Sequence, residues 1–234
     1  VRKPVFGFCG AAGAGKDSVA NYLHDHYGVA RFGFSWPLKD LVCKAYGWDR
    51  KQIDNYDYKS AVAPVRSVWR DEVAEICWGQ FDFDRPISAQ RAVIEHVERG
   101  LNEPARVAST VGEKPWTRRR VLQHIGTEVF RAIDPHHWTT KALRCIEELL
   151  KTEVGVAVVD VRFLNEAAAL RDAFRATIMR VERTDEEPSA DTHSSELEFH
   201  QIPVDWVLAA PFGQLPKLYE QANSIARLSG LRAK

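Results

Sequence analysis

Between Pro4 and Ala20 the chain reads PVFGFCGAAGAGKDSVA, and no other stretch restricts the fold as strongly. An apolar run, Val5 to Cys9, feeds a glycine-rich turn, Gly10-Ala11-Ala12-Gly13-Ala14-Gly15-Lys16. The turn opens into a helical pattern at Val19, Ala20 and Leu23. Strand, Gly-x4-Gly-Lys and helix, in that order, make a phosphate cradle. Loop N–H groups surround the phosphate oxygens, the helix N-terminus adds positive potential, and the lysine supplies a point charge. One detail departs from the common pattern. The hydroxyl expected directly after the lysine is displaced by one position, with Asp17 in its place and Ser18 following.

The 234 residues suit one large α/β domain or a core with a modest insertion. No run approaches the ~20 apolar residues of a membrane helix. Val1-Arg2-Lys3 leads directly into the first strand, so no signal or transit segment is expected, and the missing initiator Met suggests trimming only. Thirty-two basic residues balance 32 acidic ones, which argues against a broad nucleic-acid footprint. Arginines outnumber lysines, 21 to 11, and the guanidinium fork suits small phosphorylated ligands. Cys9, Cys43, Cys77 and Cys145 are scattered with no C-x-x-C pair. A reducing, cytoplasmic setting without disulfides or structural zinc is expected.

After a first helix at about 16–27, Val29 to Phe34 reads as a short strand. Ser35-Trp36-Pro37 then starts a helix running to Gly47, with Ser35 as N-cap and Pro37 in the first turn. From Trp48 to Pro115 the pattern degrades, with one helical stretch near 89–99 and polar breaks at 102–104 and 112–115. This region reads as an insertion that carries specificity. Thr117 is the expected N-cap of a helix at 118–131, followed by one at 136–151. Val154 to Val159 is a continuous apolar run, as a buried parallel strand should be. Helix 163–174, strand 176–182, polar stretch 184–199, strand 204–209 and helix 214–229 complete the chain. Strands alternating with helices predict an α/β fold, a parallel sheet covered on both faces.

The Val156-Ala157-Val158-Val159 run ends in Asp160, which a second strand of this kind can deliver beside the cradle for Mg²⁺ or its water shell. Arg162, Asn165 and Glu166 follow; the last two equally suit the first turn of a helix. In the segment 118–131, at about 100° per residue, Val121, Leu122, Ile125 and Val129 share one face. Arg120, Gln123, Thr127 and Arg131 share another, which reads either as a grip on a phosphate and a base edge or as a solvated basic face. Gly126 is a point where this helix could end or kink. Arg180 and Arg183 precede the stretch Thr184 to Glu196, which suits a lid over transferred phosphate or a plain surface loop.

Taken together, these residues resemble the phage-type deoxynucleoside monophosphate kinases, in five blocks spread along most of the chain. They are Gly-x4-Gly-Lys16-Asp17-Ser18; Ser35-Trp36-Pro37-Leu38-Lys39-Asp40; Arg119-Arg120-x-x-Gln123-x-x-Gly126-Thr127-Glu128 with Trp138 downstream; Asp160-Val161-Arg162; and Arg180-x-x-Arg183 with Asp191-Thr192-His193-x-x-Glu196. Nucleotide kinases of the adenylate kinase kind also carry the hydroxyl one residue late, which accounts for Ser18. Region 48–115 does not match, so base preference does not carry over.

The resemblance implies a P-loop kinase fold, with 48–117 as an acceptor-binding insertion and 184–199 as a lid. It also implies transfer of the ATP γ-phosphoryl group to a deoxynucleoside 5′-monophosphate with Mg²⁺, for DNA precursor synthesis. Gly10, Ala11, Ala12, Gly13, Ala14, Gly15, Lys16, Asp17 and Ser18 would hold the ATP phosphates, with Ser18 and Asp160 on the metal. Lys16, Asp17, Arg162 and Arg183 are the expected catalytic set, with Arg180 an alternative to the last two. Asp17 would either organise the metal shell or accept a hydrogen bond from the acceptor. Trp36, Lys39, Arg119, Arg120, Gln123, Thr127 and Trp138 would bind that acceptor. The expected partners are small nucleotides, with neither nucleic acid nor membrane, in the host cytoplasm if the gene is a phage's; a homodimer stays open. A dephospho-coenzyme A-like acceptor is the nearest alternative, and a nucleotide-binding switch a more distant one.

Overall fold

Every residue of β1 (Val5–Cys9) is buried, because both faces of the sheet around it are covered by helices. The computed structural model describes residues 2–11, 13–81, 86–185 and 199–234. It divides into two compact units, one of 1–34 with 139–234 and one of 35–138.

In the first unit, β1 joins β2 (Ala30–Phe32), β3 (Val156–Val158), β4 (Thr177–Arg183) and β5 (Trp206–Ala210) in the order β2-β3-β1-β4-β5. All four pairings are parallel. Side chains alternate across a strand, and the packing follows. Phe6 and Phe8 share a core with Val19 and Leu23 of α1 (Lys16–Tyr27) and Leu218 and Ile225 of α9 (Leu215–Leu228). Gly7 points the other way, where an added Cβ would sit 2.7 Å from Ile178 and 3.3 Å from Leu170 of α8 (Leu164–Phe174). Only a glycine lets α8 approach β1 that closely. The chain leaves β1 through α1 toward β2, and leaves neighbouring β3 through α8 toward β4. At such a switch point the carboxyl ends of the two strands form the usual ligand crevice of an open α/β sheet.

The second unit is mainly helical. α2 (Trp36–Tyr46), α3 (Tyr56–Ser60), α4 (Arg70–Gln80) and α5 (Ile87–Ser109) precede α6 (Arg118–Gln123) and a π-helix (His124–Arg131). Its core includes Val42, Ile53, Val73, Leu101, Ile125 and Phe130. α7 (His137–Thr152) follows. The segment 48–117 lies within this unit.

Two expectations need correction. The helix placed at 89–99 is Ile87–Ser109 and passes through the polar break, with Pro104 inside it. The helix placed at 118–131 does not end at Gly126. It changes from α to π after Gln123 and runs on to Arg131. Ser35 does occupy an N-cap position but makes no capping side-chain hydrogen bond, whereas Thr117 Oγ1 accepts from Arg120 N at 3.3 Å. Of the expected lid, Asp191, Thr192, His193 and Glu196 lie outside the described residues.

Candidate active site

The cradle geometry is set by glycines at its ends. Gly10 has φ +131°, and an added Cβ would lie 2.2 Å from Val181 O. Gly15, at φ +104°, precedes α1 as its N-cap. Gly13 is also at positive φ, +79°; such dihedrals cost a side-chain-bearing residue heavily. Lys16 Nζ donates to Gly10 O at 2.8 Å and to Ala11 O at 2.6 Å, which holds its charge over the loop. Cys9, just before the turn, is buried; burial pushes its thiol up to about 11, so it is neutral at physiological pH.

Ser18 is half-buried in the first turn of α1. Asp160 follows β3, and its Oδ1 accepts from Phe34 N at 2.6 Å, which fixes the carboxylate at the carboxyl edge of the sheet. A hydroxyl and a carboxylate are the hard oxygen donors that Mg²⁺ prefers. The chemistry of this donor pair fits the ion. Asp17 is 70% exposed and pairs with Arg31 of β2 at 2.9 Å.

Register separates the arginines of β4. Cys9 pairs with Arg180, which puts Arg180 on the Gly7 face. There its Nε donates to Glu182 at 2.6 Å. Arg183, three residues on, stands on the face shared with α1. It lies over the Phe212 ring at 4.6 Å and reaches Asp185 at 3.3 Å. Arg162 is exposed after β3, and its backbone N donates to Glu166 Oε2 at 2.9 Å. Glu166 is therefore a buried helix-start residue, the second of the two roles open to it from sequence.

In the second unit the arginine triplet is sorted by position. Arg118 is buried, with its guanidinium 3.9 Å from the Tyr58 ring, and donates to Tyr58 O and Val62 O. Arg119 and Arg120 are exposed, at 5.4 Å from Tyr56 and 4.5 Å from Trp116 respectively. Gln123 and Thr127 are exposed as well, and Arg131 is half-buried. Trp116 also lines a cavity of about 300 Å³ with His124, Glu128, Arg99 and Glu103.

Lys39 bonds Asp54 at 2.6 Å. Burial pushes the Asp54 carboxyl up, but the hydrogen bond and charge of Lys39, with the charges of Lys59 and Arg50, outweigh it and hold it below its usual value. Arg50 lies 5.9 Å from the half-buried Trp36 ring. Trp138 is 3% exposed, donates to Gly126 O at 2.9 Å and packs on Phe130. It braces the π-helix and presents no open face.

A family model described as deoxynucleotide monophosphate kinase matches residues 80–221. The chain belongs to this family. Among curated relatives, the deoxynucleotide monophosphate kinase of Escherichia phage RB69 is 25% identical over 239 residues, covering 92% of this chain and 96% of the relative. The protein of the same name from Enterobacteria phage T4 is 25% identical over 209 residues, covering 80% and 84%. The parallel sheet flanked by helices is the architecture expected of a P-loop kinase in this family. Sequence reasoning missed Arg31, Trp116 and the burial of Arg118. An arginine inside a short apolar strand was the one available signal for the first of these.

Proposed function

We propose that this deoxynucleotide monophosphate kinase transfers the γ-phosphoryl group of ATP to the 5′-phosphate of a deoxynucleoside monophosphate, giving ADP and the deoxynucleoside diphosphate. The observation that carries the reading is the cradle at the carboxyl end of β1, with Lys16 held over it, in a chain of this family. An acceptor phosphate oxygen attacks the γ-phosphorus, and the bond to the bridging oxygen breaks toward ADP. Such transfer needs positioning and charge stabilisation more than covalent help.

Lys16 and the loop N–H groups hold the β- and γ-phosphates. Ser18 and Asp160 would hold Mg²⁺, which offsets charge on the phosphate oxygens when bound. Arg183, with Arg162, stabilises charge on the transferring group. Arg119, Arg120, Gln123 and Thr127 bind the acceptor. Lys39 and Trp36 contribute once the Asp54 and Arg50 contacts exchange for ligand. Among the described residues no helix is long and apolar enough to cross a membrane, and the relatives come from phages. The enzyme would then act on nucleotides in the cytoplasm of an infected host.

The test is ADP release across deoxynucleoside and ribonucleoside monophosphates, with modified bases included and Lys16→Ala as control. At least one deoxynucleotide should stimulate ADP release, and the control should lose nearly all of it. No stimulation by any nucleotide, with turnover on a coenzyme A precursor, would replace this acceptor class.

A further inference from the structure

Arg31 is an uneconomical residue for its place. It pairs with Ala157, which pairs with Phe6, so it stands on the sheet face that packs under α1. Its neighbours Ala30 and Phe32 are buried. Its Nε is also buried and has no hydrogen-bond partner among the described residues, a cost that Val or Thr would spare an edge strand. What the arginine gains is at its tip, where Nη2 lies 2.9 Å from Asp17 Oδ1. Asp17 directly follows the cradle lysine. A carboxylate suits a helix N-terminus, yet an unpaired one beside Lys16 would repel the phosphates that the loop collects.

We propose that Arg31 is a positioning residue for the donor nucleotide: it turns Asp17 toward β2 and cancels its charge, so that the cradle keeps its positive potential. Asp17 and Arg31 thus act as one neutral pair, which leaves the displaced hydroxyl of Ser18 as the oxygen donor that follows Lys16 in the turn. The proposal rests on the phosphate-cradle reading and adds a residue from another strand to it.

The experiment is calorimetric binding of a non-hydrolysable ATP analogue to four proteins: unaltered, Arg31→Ala, Asp17→Asn and the double variant. Losing Arg31 should weaken binding about 5- to 10-fold while Asp17 is present, and less than about 2-fold when Asn replaces it. The difference should shrink at high salt, because the pair is partly exposed. Arg31→Lys should restore most of the affinity and Arg31→Gln should not, a contrast that stands even if the alanine variant folds poorly. An equal loss in both backgrounds, or no loss at all, would overturn the proposal. So would equal behaviour of the Lys and Gln variants. Failure of the unaltered protein to bind the analogue would instead remove the cradle reading beneath it.

Discussion

Arg118, Arg119 and Arg120 are consecutive and chemically identical, and the fold uses them differently. Helical periodicity separated Arg120 from the apolar face but could not show that Tyr58 and Trp48 would close over Arg118 from another segment. Burying a guanidinium is tolerable only where acceptors receive some of its protons; Tyr58 O and Val62 O accept from Nη1 at 3.1 and 3.2 Å, while Nε is buried with no partner among the described residues. Arg118→Ala leaves both carbonyls unpaired and opens a void, so a loss of about 2–4 kcal/mol is expected in chemical denaturation. Arg120→Ala should cost no more than about 0.5 kcal/mol, since its ring contact is exposed. It should instead raise the acceptor KM about tenfold or more, with the ATP KM little changed. An unchanged acceptor KM would return the stripe to a solvated surface, and equal stability losses would refute the division of roles.

At the scale of elements, α5 and the π-helix form the joint that sequence periodicity could not read. Pro104 marks a break in any single-sequence reading, because its ring cannot donate to the carbonyl four residues back. Here that carbonyl is Gly100 O, and His124 Nε2 supplies the proton from the π-helix at 3.2 Å. His96 returns the favour to Val129 O at 3.1 Å. A partner 24 residues away thus repairs the helix, and no local signal announces it. Gly100 itself lets the two elements meet: an added Cβ would lie 2.2 Å from Val129 Cγ2 and 3.2 Å from its Cβ. Alanine gains about 1 kcal/mol of helix propensity over glycine. Overpacking against a stiff β-branched side chain costs more, about 1–3 kcal/mol. Gly100→Ala should therefore be net destabilising and should raise the acceptor KM, because the stripe residues ride on the displaced element. A more stable variant with normal KM would show that the joint yields freely.

For the molecule as a whole, the sheet-bearing unit was legible throughout, and the helical one only at Trp36–Tyr46 and at 118–131, for a physical reason. β1 and β3 are buried on both faces, so they appear as uninterrupted apolar runs. The glycines of the cradle are forced by backbone geometry and are equally visible. Residues 35–138 instead bury single faces of helices against one another, and their signals are diluted by aromatic residues, exposed ion pairs and Pro104. The two units also carry the two proposed halves of the reaction, donor on 1–34 with 139–234 and acceptor on 35–138. That division predicts separable footprints in hydrogen exchange. A non-hydrolysable ATP analogue should slow exchange in the cradle and the first turn of α1, at 10–19, where amides gain phosphate acceptors. A deoxynucleoside monophosphate alone should slow exchange at 117–131. Ligand bound at about 100 times its Kd adds about 2.7 kcal/mol to any opening that releases it, roughly a hundredfold in exchange rate for amides that report such openings. Protection of the cradle by the monophosphate alone, with none at 117–131, would move the acceptor onto the sheet-bearing unit and leave the arginine stripe without a ligand.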